Sequence, residues 1–382
     1  MHIAHVLTRL LRAGSEENTL ATCRWQVAAG HRVSLIHGNV CDPFWHDHLP
    51  RGVTRIAVPE MVHPIRPVQD ARAVARLRAL YRDLRPDVIH THQSKAGVLG
   101  RLAADAVPDA VVAHGIHIIP FEGVGDPKRA LYIAAERMVA RRTDVFIAVS
   151  EAVGRAYVEA GIAGQVHCVH SGMDLARFRD APLPEDWPAV LGVPPGAARP
   201  PVALMMAAFE PRKRHVPFLR AFAKVASRLP DLKLLLAGRG PEEARVRAEV
   251  AALGLGDRVV FCGHRPDPEA LFALADVSIL TSEREGLPRV VVQSIAAGCP
   301  PVVQHLPGLD EVVVDGRNGV IAAPDDMDGA VRTLCEVLAS PERLAALRQG
   351  ARATDLSAWA LDNLGARTTV LYQAPVALSE VA

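Results

Sequence analysis

The 382-residue chain is poor in aromatic residues, at 4%, and no apolar run reaches the roughly 20 residues that a membrane helix needs. Its six cysteines (23, 41, 168, 262, 299 and 335) sit singly. With no CxxC pair and no Cys/His cluster at zinc spacing, they read as reduced, mostly buried thiols. There is no excess of either charge: 43 Lys and Arg stand against 42 Asp and Glu, for a net charge of +1. A nucleic-acid binder would carry a marked basic surplus, so that class is excluded. The opening MHIAHVLTRLLRAG is short, holds histidines and lacks the small-residue cleavage site of a signal peptide. The expectation is a cytoplasmic protein.

Several catalytic signatures are also missing. There is no GxGxxG, no P-loop and no GxSxG elbow. No DxD precedes a strand end; the nearest, Asp326-Met-Asp328, opens a late helix and reads as an N-cap region. Adjacent Asp310 and Glu311 cannot straddle a substrate as a hydrolase pair must. The close pairs His46/His48, His90/His92 and His114/His117 have no carboxylate or cysteine partner, so they read as polar residues of loops and strand ends, and no metal is expected.

What the chain does have is alternation. At 49% hydrophobic it can bury a large core, and strand-like and helix-like stretches follow one another on both sides of a proline-rich segment. HIAHVLT reads as a first strand, followed by a glycine loop, LRAGSEEN, and a helix from beyond 17 to Ala29. RVSLIHG, DVIHTH, AVVAHGIH, TDVFIAVS and QVHCVHSGMD continue the strands, with Ser150 as an N-cap before SEAVGRAYVEAG. The 68–84 helix is amphipathic. Its arginines could meet a membrane surface or an anionic acceptor, but a solvated face explains them more simply. DAPLPEDWPAVLGVPPGAARPP has too many prolines for regular structure and marks a boundary. The domains are therefore drawn at 1–178, a linker at 179–200, a second domain at 201–360, and a tail at 361–382 that could pack back on the first domain. Both domains are α/β with doubly wound, mostly parallel sheets, and in such sheets ligands gather at the carboxyl ends of the strands. Two such domains would face each other across a cleft.

Residues 279–303 carry the chemistry. A short apolar strand runs into a polar loop with Gly286 and Pro288, then a helix, then a second strand. The loop sets the Glu285 carboxylate beside a helix start, whose unpaired N–H groups and positive dipole end favour an anion. A carboxylate for sugar hydroxyls and a cradle for diphosphate together suggest a sugar nucleotide.

PDVIHTHQSKAGVLGRLAA, VVAHGIHIIPFEG, TDVFIAVSEAV and VHSGMDLARF, followed by AAFEPRKRH, LLLAGRGP, VVFCGHRPD, ADVSILTSEREGLPRVVVQSIAAGCPPVV and LDEVVVDGRNGV, resemble in order one family. It is the retaining glycosyltransferases of the two-domain GT-B fold, family four, in its bacterial polysaccharide and antibiotic-sugar members. The resemblance runs to about residue 360 and implies roles residue by residue. Glu285 matches the first acid of the Glu-x7-Glu motif, which holds donor-sugar hydroxyls. Backbone N–H groups of Gly286, Leu287, Pro288, Arg289 and Val290 (the proline contributing only its place in the loop) correspond to the diphosphate cradle. Lys213, with Arg212 before it, matches the cation that stabilises the leaving phosphate. Gly14 matches the N-terminal glycine loop, His114 the histidine near the donor sugar, and His264 and Arg265 the place where the base is met.

Three positions depart from the pattern. Gln293 stands at the second acid of the motif, where an amide forfeits a charge-assisted bond, typically about twice as strong as a neutral one. Ala208 stands where many members have arginine, and Ala13 replaces the first glycine of a Gly-Gly pair. The resemblance implies a retaining, metal-independent hexosyl- or N-acetylhexosaminyl-transferase. Its donor would be a nucleotide-diphospho-sugar, UDP-sugar favoured, and its acceptor a carbohydrate, a lipid-linked molecule or a small molecule, met in the cytoplasm or at the inner face of the membrane. Segments 41–67 and 117–128 are where acceptor contacts are expected. A sugar-nucleotide epimerase and a non-catalytic sugar-nucleotide-binding protein are the alternatives.

Overall fold

A computed structural model of the chain describes residues 1–373. It contains two compact units, one of residues Met1–Met173 joined by the segment that begins at Ala358, the other Asp174–Ser357. The second unit thus begins at Asp174, before the proline-rich stretch, and that stretch is part of it. Trp187–Leu191 forms a short helix there, ended by Gly192 in the left-handed region at φ 62°.

The first unit is built on seven strands: β1 (His2–Leu7), β2 (Arg32–His37), β3 (Val53–Ala57), β4 (Val88–His92), β5 (Val111–Ile116), β6 (Val145–Ala148) and β7 (His167–Cys168). They pair in parallel in the order β3-β2-β1-β4-β5-β6-β7. A parallel sheet covered on both faces calls for continuous apolar strands. β1 and β4 are buried along their whole length yet carry histidines at 2, 5, 90 and 92. The first helix spans Gly14–Ala28, starting before the segment beyond 17 that its pattern indicates. Glu16 and Glu17 sit in its first turn, where carboxylates complement the helix dipole. The expected glycine loop is therefore largely helix, and Gly14 is its first residue. Ser150 does cap its helix, accepting from the Val153 N–H at 3.3 Å.

The helix Leu361–Leu371 lies against the first helix. A side chain at Gly365 would collide with Trp25, so glycine allows the two to approach. Gln26 Nε2 donates to Thr369 Oγ1 and Tyr372 Oη at 3.2 and 3.3 Å. The part of the expected tail beyond residue 373 lies outside the described residues.

The second unit has six parallel strands: β8 (Val202–Met206), β9 (Lys233–Ala237), β10 (Val259–Gly263), β11 (Val277–Leu280), β12 (Pro301–Gln304) and β13 (Val320–Ala322). Their order is β10-β9-β8-β11-β12-β13. Asp276, just before β11, receives Arg199, Arg348 and the Val202 N–H, which pins the proline-rich segment and a late helix to the sheet. Among the described residues no helix is long and apolar enough to cross a membrane.

Candidate functional site

In the second unit the chain winds from β8 outward through β9 and β10, then returns beside β8 as β11 and winds the other way. The two loops that leave β8 and β11 lie at the carboxyl ends of this central pair, the switch point at which doubly wound sheets bind ligands in a crevice. The loop after β8 forms a single 3₁₀ turn, Pro211–Lys213. The loop after β11 carries Glu285 and leads into the helix Arg289–Ala296.

The loops are stitched together by backbone. The Glu283 N–H donates to the Arg212 carbonyl at 2.8 Å, Thr281 Oγ1 to the Lys213 carbonyl at 3.3 Å, and an Arg212 guanidinium N–H to the Arg284 carbonyl at 3.3 Å. That frame brings Lys213 Nζ onto Glu285 Oε1 and Arg212 to within 3.2 Å of Glu285 Oε2. Arg212 also pairs with Glu210 at 2.8 Å. Arg214 follows in the left-handed region at φ 58° and pairs with Asp325, itself at φ 58°. Non-glycine residues rarely take that conformation, so each stores some strain beside the loop.

Lys213 and Glu285 are only 12% and 11% exposed at their side chains. Burial pushes the Glu285 carboxyl upward, but the charges of Lys213 and Arg212 and the hydrogen bond from Lys213 outweigh it and hold the group below its usual range. It is a carboxylate at neutral pH, able to accept hydrogen bonds at both oxygens. The helix behind it begins after Pro288 without a side-chain cap, and Gln293 lies half-buried along it. Gly238 and Gly240, after β9, allow the chain to press on the backbone of Ala207 and Phe209; a Cβ on either would clash. Arg265 is engaged by Asp267 of its own loop at 2.6 and 2.8 Å, and His264 is exposed.

The structure thus brings together Lys213, Arg212 and Glu285, with Gly286 to Val290 and Gln293 following Glu285 in the same loop and helix. His114 stands apart. It lies in the core of the first unit at 1% exposure, its Nδ1 3.0 Å from Thr91 Oγ1 and its ring edge-on to Phe146. Gly97 lies against that ring, since a Cβ there would meet His114 Cε1 at 2.5 Å. Burial and the neighbouring Arg101 hold His114 neutral, and so enclosed a ring touches no surface where a sugar could rest. The assignment near the donor sugar does not fit this position.

At the corresponding crevice of the first unit, Gln93 after β4 takes φ 63° and reaches across. Its amide oxygen accepts from the Thr8 N–H at 3.1 Å, and its Nε2 donates to Ser15 Oγ and Glu16 Oε1 at 3.2 and 3.1 Å. Glu16 is 2% exposed, and burial raises its pKa. Sequence reasoning passed over Gln93 and Glu16. A polar pair 77 residues apart leaves no local signal.

Compared with known proteins, residues 194–354 match the family "Glycosyl transferases group 1" and residues 13–177 match "Glycosyltransferase Family 4". The chain is 28% identical over 320 residues to the putative glycosyltransferase EpsD of Bacillus subtilis, covering 81% of this chain and 82% of that protein. It is 30% identical over 299 residues to the D-inositol 3-phosphate glycosyltransferase of Thermobispora bispora, covering 73% and 68%. The crystal structure of HepE from Anabaena with UDP and glucose shares the fold, with a TM-score of 0.80 at 20% identity over 98% of this chain and 100% of that one. Sucrose-phosphate synthase from Thermosynechococcus elongatus gives 0.81 at 20% identity, over 99% and 100%.

Proposed function

The chain belongs to glycosyltransferase family 4 and has the GT-B fold, and from that premise we propose a retaining, metal-independent transferase. It moves a hexose-type sugar from a nucleotide-diphospho-sugar, UDP-sugar favoured, to an acceptor hydroxyl in the biosynthesis of a glycan or glycosylated metabolite. The observation that carries this reading is the Lys213–Glu285–Arg212 cluster at the switch point of the second sheet. In the proposed complex the donor diphosphate takes the two cations from Glu285, and Glu285 turns to the sugar hydroxyls. The amides that lead into the Arg289–Ala296 helix add the positive end of its dipole.

The chemistry follows from what the cluster offers. The bond between the anomeric carbon and the phosphate oxygen breaks, and Lys213 and Arg212 stabilise the charge that develops on the leaving phosphate. In this reading Glu285 is given to the sugar hydroxyls and no side chain serves as nucleophile. For the retaining course that the family resemblance implies, the acceptor oxygen bonds the anomeric carbon on the face the phosphate leaves, and its proton passes to a phosphate oxygen. The configuration is retained and no metal is needed. UDP is named in a structural neighbour and D-inositol 3-phosphate in a relative. The second supports a phosphorylated small-molecule acceptor only as one class among the carbohydrate, lipid-linked and small-molecule acceptors.

A second reading, a sugar-nucleotide-binding protein without turnover, draws on Gln293 and Ala208, where the family's usual charged residues are absent. Thermal shift with UDP, GDP, TDP and ADP and their sugars, followed by a donor-turnover assay, separates the cases. A ligand held well above its dissociation constant raises the melting temperature measurably. Shift by UDP-sugar with transfer or slow donor hydrolysis is expected. Shift without either favours the binding protein, interconversion of the sugar without any acceptor favours an epimerase, and no shift by any nucleotide removes the proposal.

A further inference from the structure

The first unit holds a second group of functional side chains that the transfer chemistry does not use. His5 on β1 is the register partner of His90 on β4, and His92, two residues further along β4, points to the same face. The three are at most 3% exposed. His5 Nδ1 and His92 Nε2 lie 2.9 Å apart, and one ring nitrogen from each of the three lies within 4.8 Å of the other two.

Each ring is also held from outside. Gln26 Oε1 accepts from His5 Nε2 at 2.8 Å, which fixes the tautomer and leaves the lone pair on Nδ1. His92 Nδ1 meets His117 Nε2 at 3.0 Å, and His90 Nδ1 meets Tyr372 Oη at 2.7 Å. His90 Nε2 is buried with no partner. Beside it, Gly115 on β5 is the register partner of His92. A Cβ at Gly115 would stand 2.8 Å from His92 Nδ1 and 3.1 Å from His90 Nε2, so its absence keeps the space over the rings open. That space joins a cavity bordered by His90, His92, Gly115, His117, Thr22 and Thr368.

We propose that His5, His90 and His92 bind one divalent transition-metal ion, Zn²⁺ foremost, with a water from the adjoining cavity as fourth ligand. An all-imidazole set suits zinc, copper, nickel or cobalt and not magnesium or calcium, which take oxygen ligands. Outer partners on the remaining ring nitrogens are the arrangement that orients ligating histidines and fixes their tautomers. His92 would carry its proton on Nδ1, donating to His117, and no net proton is lost from the three rings. The 2.9 Å between His5 and His92 need open only slightly, to the ~3.3 Å between ligands of a tetrahedral zinc. The ion would brace β1 against β4 and, through Gln26 and Tyr372, hold the C-terminal helix. It takes no part in sugar transfer.

The test uses the full chain, stripped with chelator and dialysed, then titrated with Zn²⁺ by calorimetry and with Co²⁺ by visible absorption. One equivalent of Zn²⁺, a tetrahedral Co²⁺ spectrum and a raised melting temperature are expected, with UDP binding unchanged. The wild-type titration alone can overturn the proposal, by showing no bound equivalent. The variants His90→Gln and His92→Gln should each lose the equivalent while still binding UDP. An equivalent that survives in both, held for example by the exposed His46 and His48, overturns it as well.

Discussion

At the carboxyl ends of β8 and β11 stand Lys213, Arg212, Glu210 and Glu285; at the same place on β1 and β4 stand Thr8, Ser15, Glu16 and Gln93. Both sheets reverse their winding at that pair of strands, so the backbone offers each unit the same crevice. Each crevice holds one largely buried glutamate. Burial pushes both carboxyls upward, and only Glu285 has cations close enough to reverse the shift. One topology thus yields an ion-paired site whose cations an anion can take over, and a hydrogen-bonded one without cations in contact with its glutamate. The difference lies in side chains that follow the strands.

The contrast can be broken most severely at Lys213. Lys213→Ala should cut transfer by at least about a hundredfold, the equivalent of roughly 2.7 kcal/mol of transition-state stabilisation. Near-normal steady-state turnover would sink the role given to this lysine. Glu285→Gln should lower turnover by roughly tenfold or more while leaving UDP affinity equal or higher, since the cations are freed. Titration calorimetry with UDP against UDP-sugar measures that split, and an equal loss for both ligands would count against it.

The two glutamates should also answer oppositely to pH. The folded value of Glu16 lies above the ordinary 4.5, so stability falls as pH rises past 4.5. Glu16→Gln should therefore melt a few degrees higher than wild type at pH 7, a gain that disappears below about pH 4. The folded value of Glu285 is depressed, so its contribution is complete above 4.5 and lost as pH falls through the folded value. Glu285→Gln should melt lower at pH 7, and the deficit should shrink in acid. Calorimetric scans of both variants from pH 3.5 to about 8 check the pair of signs. The smallest effect belongs to Gln293→Glu, which should tighten donor binding by a few-fold through a charge-assisted bond to a hydroxyl, read by competition against UDP.

Much of the fold was legible because buried parallel strands such as VALMM and LLLA leave continuous apolar runs. β3 was not. Its residues VTRIA are half or fully exposed at the sheet edge, and an edge strand needs no such run. The start of the first helix was misjudged because its opening turn, GSEE, is polar and its stability comes from the dipole rather than from burial. The Lys213–Glu285 pair spans 72 residues and was reached only through the order of motifs. The histidine triad was invisible for a related reason. His90 and His92 read as a lone pair until strand register set His5 beside them. His114 misled because its chain position says nothing of the sheet face it occupies.

Within the cluster, Lys213 and Arg212 are matched by Glu210 and Glu285, so at rest these four groups carry no net charge. An approaching dianion more than about 8 Å away, the screening length at physiological salt, feels little pull from them. Capture of the donor should then be unsteered, with an association rate that barely changes with ionic strength, in contrast to crevices lined by one sign of charge. The attraction becomes available only at contact, when Glu285 exchanges its cations for hydroxyls. A simple anion carries no separate sugar ring whose hydroxyls could receive the displaced carboxylate. Inorganic phosphate should therefore compete poorly, and the ion pair serves the empty site as a filter on what may enter.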